Sequence, residues 1–267
     1  MPAGGDWPTT PQYRICLFPF DITAGLFEFA AMKNPIIVAL DVPTAEQAVA
    51  LAQEVAPAVG AFKIGSELFT AAGPEIVRRI RATGAAVFLD LKFHDIPNTV
   101  AKSVASAVRL DVQMLTIHTS GGLAMMQAAE ESAQRTAAQA GLNAPLILGV
   151  TVLTSMSGDD LAEVGLTVSV GGQVERLAQL ASRAGLRGLV CSPLEVAGLR
   201  QSLPHEMQFV TPGIRAGSDA AGDQKRTLSA REAIDAGASW LVIGRPIYAA
   251  PNPRAAAESI WESLAGQ

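Results

Sequence analysis

An α/β fold, eight parallel strands closed into a (β/α)8 barrel of the TIM type as a single domain, is predicted by three features of this sequence. From Pro35 onward, short Val/Ile-rich runs alternate with Ala-rich amphipathic segments, the pattern of repeated βα units on a parallel sheet. The length, 267 residues, is long for a typical domain but ordinary for an α/β barrel. Polar residues, finally, gather at the C-terminal ends of the apolar runs, where the loops of such a barrel build its active site.

The predicted strands are Ile36–Asp41, Ala61–Gly65, Ala86–Lys92, Met114–His118, Leu146–Thr154, Gly188–Ser192, Gln208–Ile214 and Trp240–Arg245. Thr44 with Gln47 fits a capping box before a helix Ala45–Val55. Pro74 opens Glu75–Ala82, which Gly84 ends. Pro97 marks the first turn of a helix running to Val108, and Gly121-Gly122 leads into Leu123–Ala140. Val174–Ala184 stops at Gly185, and Ser229 with Glu232 caps a segment ending at Gly237. No linker-like stretch interrupts residues 32–267. Residues 1–31 differ: Gly/Pro/Thr-rich at first, then apolar clusters without a sustained period. They read either as an extension packed as a short helix across the barrel's bottom, or as sequence upstream of a true start at Met32.

Apolar residues make up 49% of the chain, charged ones 17% and aromatics 5%, as expected of an Ala-rich helical shell around Val/Ile strands. The net charge of -5 argues against nucleic acid or an anionic membrane as partner, although a local basic pocket for a small phosphorylated molecule is compatible with it. Cys16 and Cys191 lie far apart in no metal-like spacing, which implies a reduced compartment, with Cys191 a core residue. No apolar run is long enough to span a bilayer and the N-terminus lacks a signal-peptide pattern, so the cytoplasm is expected.

The stretch Val87–Thr99 stands apart. Asp90 and Lys92 are two residues apart, which on a strand places them on one face, and Phe88 in the same phase turns that face inward. Burying a carboxylate and an ammonium costs several kcal/mol each unless they pair or serve a ligand. Taken alone, Asp90 and Lys92 read equally well as a structural ion pair, and Asp95 as an ordinary N-cap. The other strands decide between the readings. Asp41, Lys63, His118, Thr154, Ser192, Thr211-Pro212-Gly213 and Gly244-Arg245 all fall at the same end of successive strands, which independent core ion pairs have no reason to do. The last two loops suit a phosphate: Gly213 and Gly244 allow backbone N–H groups close approach, and Arg215 and Arg245 supply paired donors. The Gly-rich loop from Gly213 to Gln224 is long enough to close over a ligand. His94, His118 and His205 are scattered, and no His, Asp and Glu cluster has metal-site spacing.

With these positions assembled, the chain resembles the orotidine 5'-monophosphate decarboxylase family. The resemblance runs from about Pro35 to the C-terminus and rests on Ala39-Leu40-Asp41, Phe62-Lys63-Ile64-Gly65, Asp90-Leu91-Lys92-Phe93-His94-Asp95-Ile96-Pro97-Asn98-Thr99, Val152-Leu153-Thr154-Ser155, Thr211-Pro212-Gly213-Ile214-Arg215, Gly222-Asp223-Gln224 and Val242-Ile243-Gly244-Arg245-Pro246. It implies a cofactor-free carboxy-lyase converting orotidine 5'-monophosphate (OMP) to UMP and CO2, the last step of pyrimidine-nucleotide synthesis. By the same resemblance Asp41 binds a ribose hydroxyl, and Lys63, Asp90, Lys92 and Asp95 form an alternating charge array. Asp95 and Thr99 reach into the neighbouring subunit's site of a homodimer. Thr154 meets the pyrimidine, Arg215, Gln224, Gly244 and Arg245 hold the phosphate, and Pro212 is a further substrate-binding residue.

Loss of CO2 from C6 leaves a vinyl-type carbanion without a carbonyl sink, so catalysis has to come from charge placed in advance. Lys92 is the expected proton donor to C6, with Asp90 near the departing carboxylate. Two rivals stand beside this reading. One is a sugar-phosphate enzyme of the same suprafamily, similar in its Asp-x-Lys-x-x-Asp signature but Mg2+-dependent; those relatives carry a metal-binding glutamate where this chain has Lys63. The other is a barrel that binds a nucleotide without catalysis, for which four buried charges have no use.

Overall fold

Eight parallel strands close on one another in the computed structural model, which describes residues 34–215 and 226–265. The expectations for residues 1–31 and for Gln224 fall outside the described residues. In chain order the strands are β1 (Ile36–Ala39), β2 (Ala61–Gly65), β3 (Ala86–Phe93), β4 (Met114–His118), β5 (Leu146–Val150), β6 (Gly188–Val190), β7 (Gln208–Thr211), β8 (Ile214–Arg215), β9 (Leu228–Ser229) and β10 (Trp240–Ile243). Around the barrel they run β1-β10-β7-β6-β5-β4-β3-β2, while β8 and β9 pair with each other outside it.

Strand alternation builds two layers. Val38, Phe62, Ile64, Val87, Leu89, Leu115, Ile117, Leu241 and Ile243 pack against the helical shell. Their neighbours of opposite phase, among them Ile37, Ala61, Phe88, Met114, Leu148 and Val242, are buried inside the barrel. Lys63, Asp90 and Thr116 share that inward phase, so the period of two that fills the barrel also aims them at its centre.

Several strands end earlier than the sequence predicts. β1, β5, β6, β7 and β10 stop at Ala39, Val150, Val190, Thr211 and Ile243, short of Asp41, Thr154, Ser192, Ile214 and Arg245. The chain leaves the ladder there because its polar groups find other partners. Ser192 caps a 3-10 turn over Pro193–Glu195, Pro212 has no N–H to give, and Gly244 turns into a short helix Arg245–Tyr248. Thr44 accepts from Gln47 N–H as expected, but its hydroxyl meets the Gln47 side chain instead of completing a capping box. The helix expected to begin at Val174 begins at Val170, because Ser169 accepts from Gly172 N–H at 3.1 Å and caps it there. Helices Ala45–Val55, Glu75–Arg81, Pro97–Val108 and Leu123–Ala140 match their expected positions, the second one residue short. Ser229 and Glu232 form a complete capping box on Ala230–Asp235. No helix among the described residues is long and apolar enough to cross a membrane.

Entry into the barrel is fixed by Asn34, whose Nδ2 donates to Ala58 O at 2.8 Å and whose Oδ1 accepts from Ile36 N–H at 3.0 Å. Gly60 donates its N–H to Ile36 O at 2.9 Å, and a Cβ on it would overlap the Asn34 carbonyl oxygen. Gly60→Ala is therefore expected to lower the unfolding free energy by about 1–3 kcal/mol, read from urea denaturation. An unchanged midpoint would mean that this backbone contact yields freely.

Candidate active site

A cavity of about 410 Å3 opens at the C-terminal end of the barrel. Its floor is apolar, formed by Ala39, Phe88, Val150, Val190 and Val242. On the side of β1 to β3 stand the charges. Lys63 Nζ donates to Asp41 Oδ1 at 3.1 Å and lies 3.8 Å from Asp90 Oδ2; Lys92 Nζ donates to Asp90 Oδ1 at 2.8 Å. The Lys63 and Asp90 side chains are only 13% and 12% exposed, which puts the pair in surroundings where removing one partner is costly. Gly65 makes room for this: a Cβ there would sit 3.0 Å from Lys63 Nζ.

Lys92 is held by an irregularity. The register between β3 and β4 shifts between Leu89 and Phe93, and Lys92 has φ of 51°, a left-handed conformation costly for a residue with a Cβ. The buried Thr116 holds it there. Its hydroxyl accepts from Lys92 N–H at 2.9 Å and donates to Asp90 Oδ1 at 3.0 Å, so one side chain fixes both the strained backbone and the carboxylate. Asp90 and Lys92 thus meet through a bulge, not as neighbours on the flat face of a regular strand.

Pro212, Gly213, Gly244 and Arg245, from the loops after β7 and β10, add a second set of polar groups to the lining, with Gly244 next to Asp41, and Thr154 lines the cavity with Val152 and Leu153. Arg215 is the last residue of β8. Asp95 and Thr99 are exposed and line no part of their own chain's cavity. Asp95 is also not the cap of helix Pro97–Val108: Ile96 takes that position, and Asp95 Oδ1 accepts the Ile96 N–H at 2.6 Å. Within one chain the charge array is therefore Asp41, Lys63, Asp90 and Lys92, with Asp95 apart from it.

Thr116 and Tyr248 were not singled out by sequence reasoning. Thr116 had a signal, being a hydroxyl inside the apolar run of β4 in phase with the barrel interior. Tyr248 lines the cavity, and its phenol is pushed above its ordinary value by burial and then by the nearby Asp41 carboxylate. Cys191 is core, as expected, and also forms part of the cavity wall; burial pushes its thiol up to about 12, so it stays protonated. The His94 and His118 rings lie with centroids 5.4 Å apart and planes tilted by 44°, and neither lines the cavity. Among the described residues no group of three or more His, Cys, Asp or Glu side chains is placed to hold a metal ion.

A model of the orotidine 5'-phosphate decarboxylase / HUMPS family matches residues 34–260. The chain belongs to this family. It is 51% identical over 233 residues to the orotidine 5'-phosphate decarboxylase of Opitutus terrae, covering 87% of this chain and 99% of that one. To the orotidine 5'-phosphate decarboxylase of Pseudomonas fluorescens it is 50% identical over 237 residues, 88% of this chain and 100% of the other. The crystal structure of orotidine 5'-phosphate decarboxylase from Lactobacillus acidophilus superposes with a TM-score of 0.77 at 36% identity, covering 86% of this chain and 99% of that one. The barrel predicted from the sequence is therefore the barrel of the orotidine 5'-phosphate decarboxylase family.

Burial, and then the charges of His94 and Lys92, hold the His118 imidazole below its ordinary value, with Asp90 opposing them. The unfolded chain then binds a proton that the folded chain refuses, so this residue's contribution to stability is full above about pH 6.5 and declines as the pH falls from there. His118→Asn should flatten the decline of Tm between about pH 6.5 and 5.5 relative to wild type. Parallel Tm profiles for the two proteins would contradict the assignment.

Proposed function

We propose that residues 32–267 form a decarboxylase that converts OMP to UMP and CO2, in pyrimidine-nucleotide synthesis, with residues 1–31 an N-terminal extension. The observation that carries this reading is the Lys63–Asp90–Lys92 array lining the same cavity as Arg245. That set of charges suits a substrate that carries a carboxylate on its reacting carbon and a phosphate elsewhere.

The chemistry follows from the residues. Arg215, Gln224 and Arg245 hold the phosphate, with Pro212 and Gly244 beside it; Asp41, held by Lys63, accepts from a ribose hydroxyl. Thr154 meets the pyrimidine, and the apolar floor excludes water from its face. The C6–carboxylate bond then lies toward Asp90 and Lys92. As CO2 leaves, the electron pair stays on C6, and the Lys92 ammonium, already within hydrogen-bond distance of Asp90, stabilises it. An N–H bond of Lys92 breaks as the C6–H bond of UMP forms, and solvent reprotonates the amine. Asp90, unable to leave the grip of Thr116 and the two lysines, keeps negative charge where the substrate carboxylate arrives.

The working unit in this proposal is a homodimer. Asp95 and Thr99 lie exposed beside Ile96, which is 65% exposed, a position suited to residues that complete a neighbour's site. The compartment in this proposal is the cytoplasm.

The direct test is the ultraviolet absorbance change of OMP mixed with the protein in excess EDTA. Rapid loss of the substrate band is expected; no loss, with activity on a sugar phosphate once Mg2+ is added, would move the assignment to a metal-dependent reaction. Lys92→Ala is expected to lower kcat by at least ~1,000-fold while the protein stays folded by circular dichroism, and retention of most activity would remove the mechanism. Arg245→Ala should reduce kcat/KM for OMP by roughly 30-fold or more but leave turnover of the phosphate-free nucleoside orotidine nearly unchanged. Equal losses on both substrates would contradict its role.

A further inference from the structure

Behind the cavity wall lies an ion pair that the proposed chemistry does not use. Arg226 Nη1 donates to Glu195 Oε1, and Arg226 Nη2 donates to the Leu153 carbonyl oxygen at 3.1 Å. The Arg226 and Glu195 side chains are 16% and 10% exposed. Glu195 is itself fixed, its Oε2 accepting from Ser192 N–H at 2.9 Å in the capping box of the 3-10 turn. Leu153 O also accepts from Met156 N–H at 2.9 Å, closing the turn that carries Thr154. Arg226 stands shortly before Leu228, which pairs with Ile214 of the cavity wall and donates its N–H to Gly213 O at 3.3 Å.

A guanidinium devoted to stability would turn its fork onto one carboxylate and gain both parallel hydrogen bonds. Here the fork is divided. One arm goes to the loop after β6, the other to a backbone carbonyl in the loop after β5, and the arginine itself belongs to the segment leading into β9. Three loops that meet around one cavity are tied through a single side chain. The carbonyl chosen is that of Leu153, which lines the cavity together with the next residue, Thr154.

We propose that Arg226 is a positioning residue, which, through Glu195 and the Leu153 carbonyl, sets the place of the Leu153-Thr154 wall against the pyrimidine ring; this rests on the decarboxylase reading for its effect on turnover. The ring must be held so that C6 faces Lys92, and a displacement of about 1 Å in such a wall costs on the order of 100-fold in rate. Arg226 touches neither substrate nor reacting atoms.

Arg226→Lys separates this role from simple stabilisation, since lysine keeps a positive charge opposite Glu195 but cannot reach both partners with a divided fork. Three quantities are measured: Tm, hydrogen–deuterium exchange of the Met156 amide in the unliganded protein, and kcat/KM for OMP. Expected are a Tm within about 2 °C of wild type, exchange at Met156 at least ~10-fold faster, and kcat/KM reduced about 10- to 100-fold. Wild-type exchange, wild-type kcat/KM, or a fall in Tm that accounts for the lost activity would each overturn the proposal. Arg226→Met, lacking both donor arms, should exaggerate the exchange and kinetic effects. A wild-type protein inert toward OMP would sink the decarboxylase reading, and the Met156 exchange would then decide the brace by itself.

Discussion

The whole site depends on keeping one carboxylate, Asp90, in a nearly dry position between two ammonium groups. Asp90 faces Lys92 at 2.8 Å, Lys63 at 3.8 Å and the Thr116 hydroxyl at 3.0 Å, with a floor of Phe88 and valines beneath. Charges desolvated to this degree are tolerated only when partners and geometry are both secured. Lys92 adopts its left-handed backbone, Gly65 stays without a side chain, and Asp41 takes the far hydrogen bond of Lys63 because each is required by that arrangement.

The barrel supplies the rigidity. Every strand carries one phase into the helical shell and the other into the interior, so the inward residues near the rim cannot turn away without exposing a core residue of the opposite phase. The short early ends of β1, β5, β6, β7 and β10 release loops just above this rim. Arg226 and Glu195 tie some of those loops behind the wall, where Thr116 performs the comparable service for β3 and β4 in front of it.

Much of this was legible in the sequence. Strand alternation and length gave the barrel, and the clustering of Asp41, Lys63, Asp90, Lys92, Thr154, Pro212, Gly244 and Arg245 at strand ends matches the cavity lining. The less legible parts are those set by interactions between distant segments. The bulge at Lys92 depends on a hydroxyl from β4, and the divided fork of Arg226 on loops far apart in the chain; no local period encodes either. Strand ends were overextended because apolar residues such as Val152 and Ile214 continue past the ladder to line the cavity. Tyr248 escaped notice because a lone aromatic in a four-residue helix has no pattern around it.

Lys63, Asp90 and Lys92 are already paired in the ligand-free protein. A crystal structure of the UMP complex tests this most directly, by the position of Lys92 Nζ relative to C6 and to Asp90. Lys92 within about 3.5 Å of C6, still paired to Asp90 through the same bulge and Thr116 contacts, is the predicted result. A Lys92 turned away from C6, or an Asp90–Lys92 pair found only after the bulge has rearranged, would contradict it.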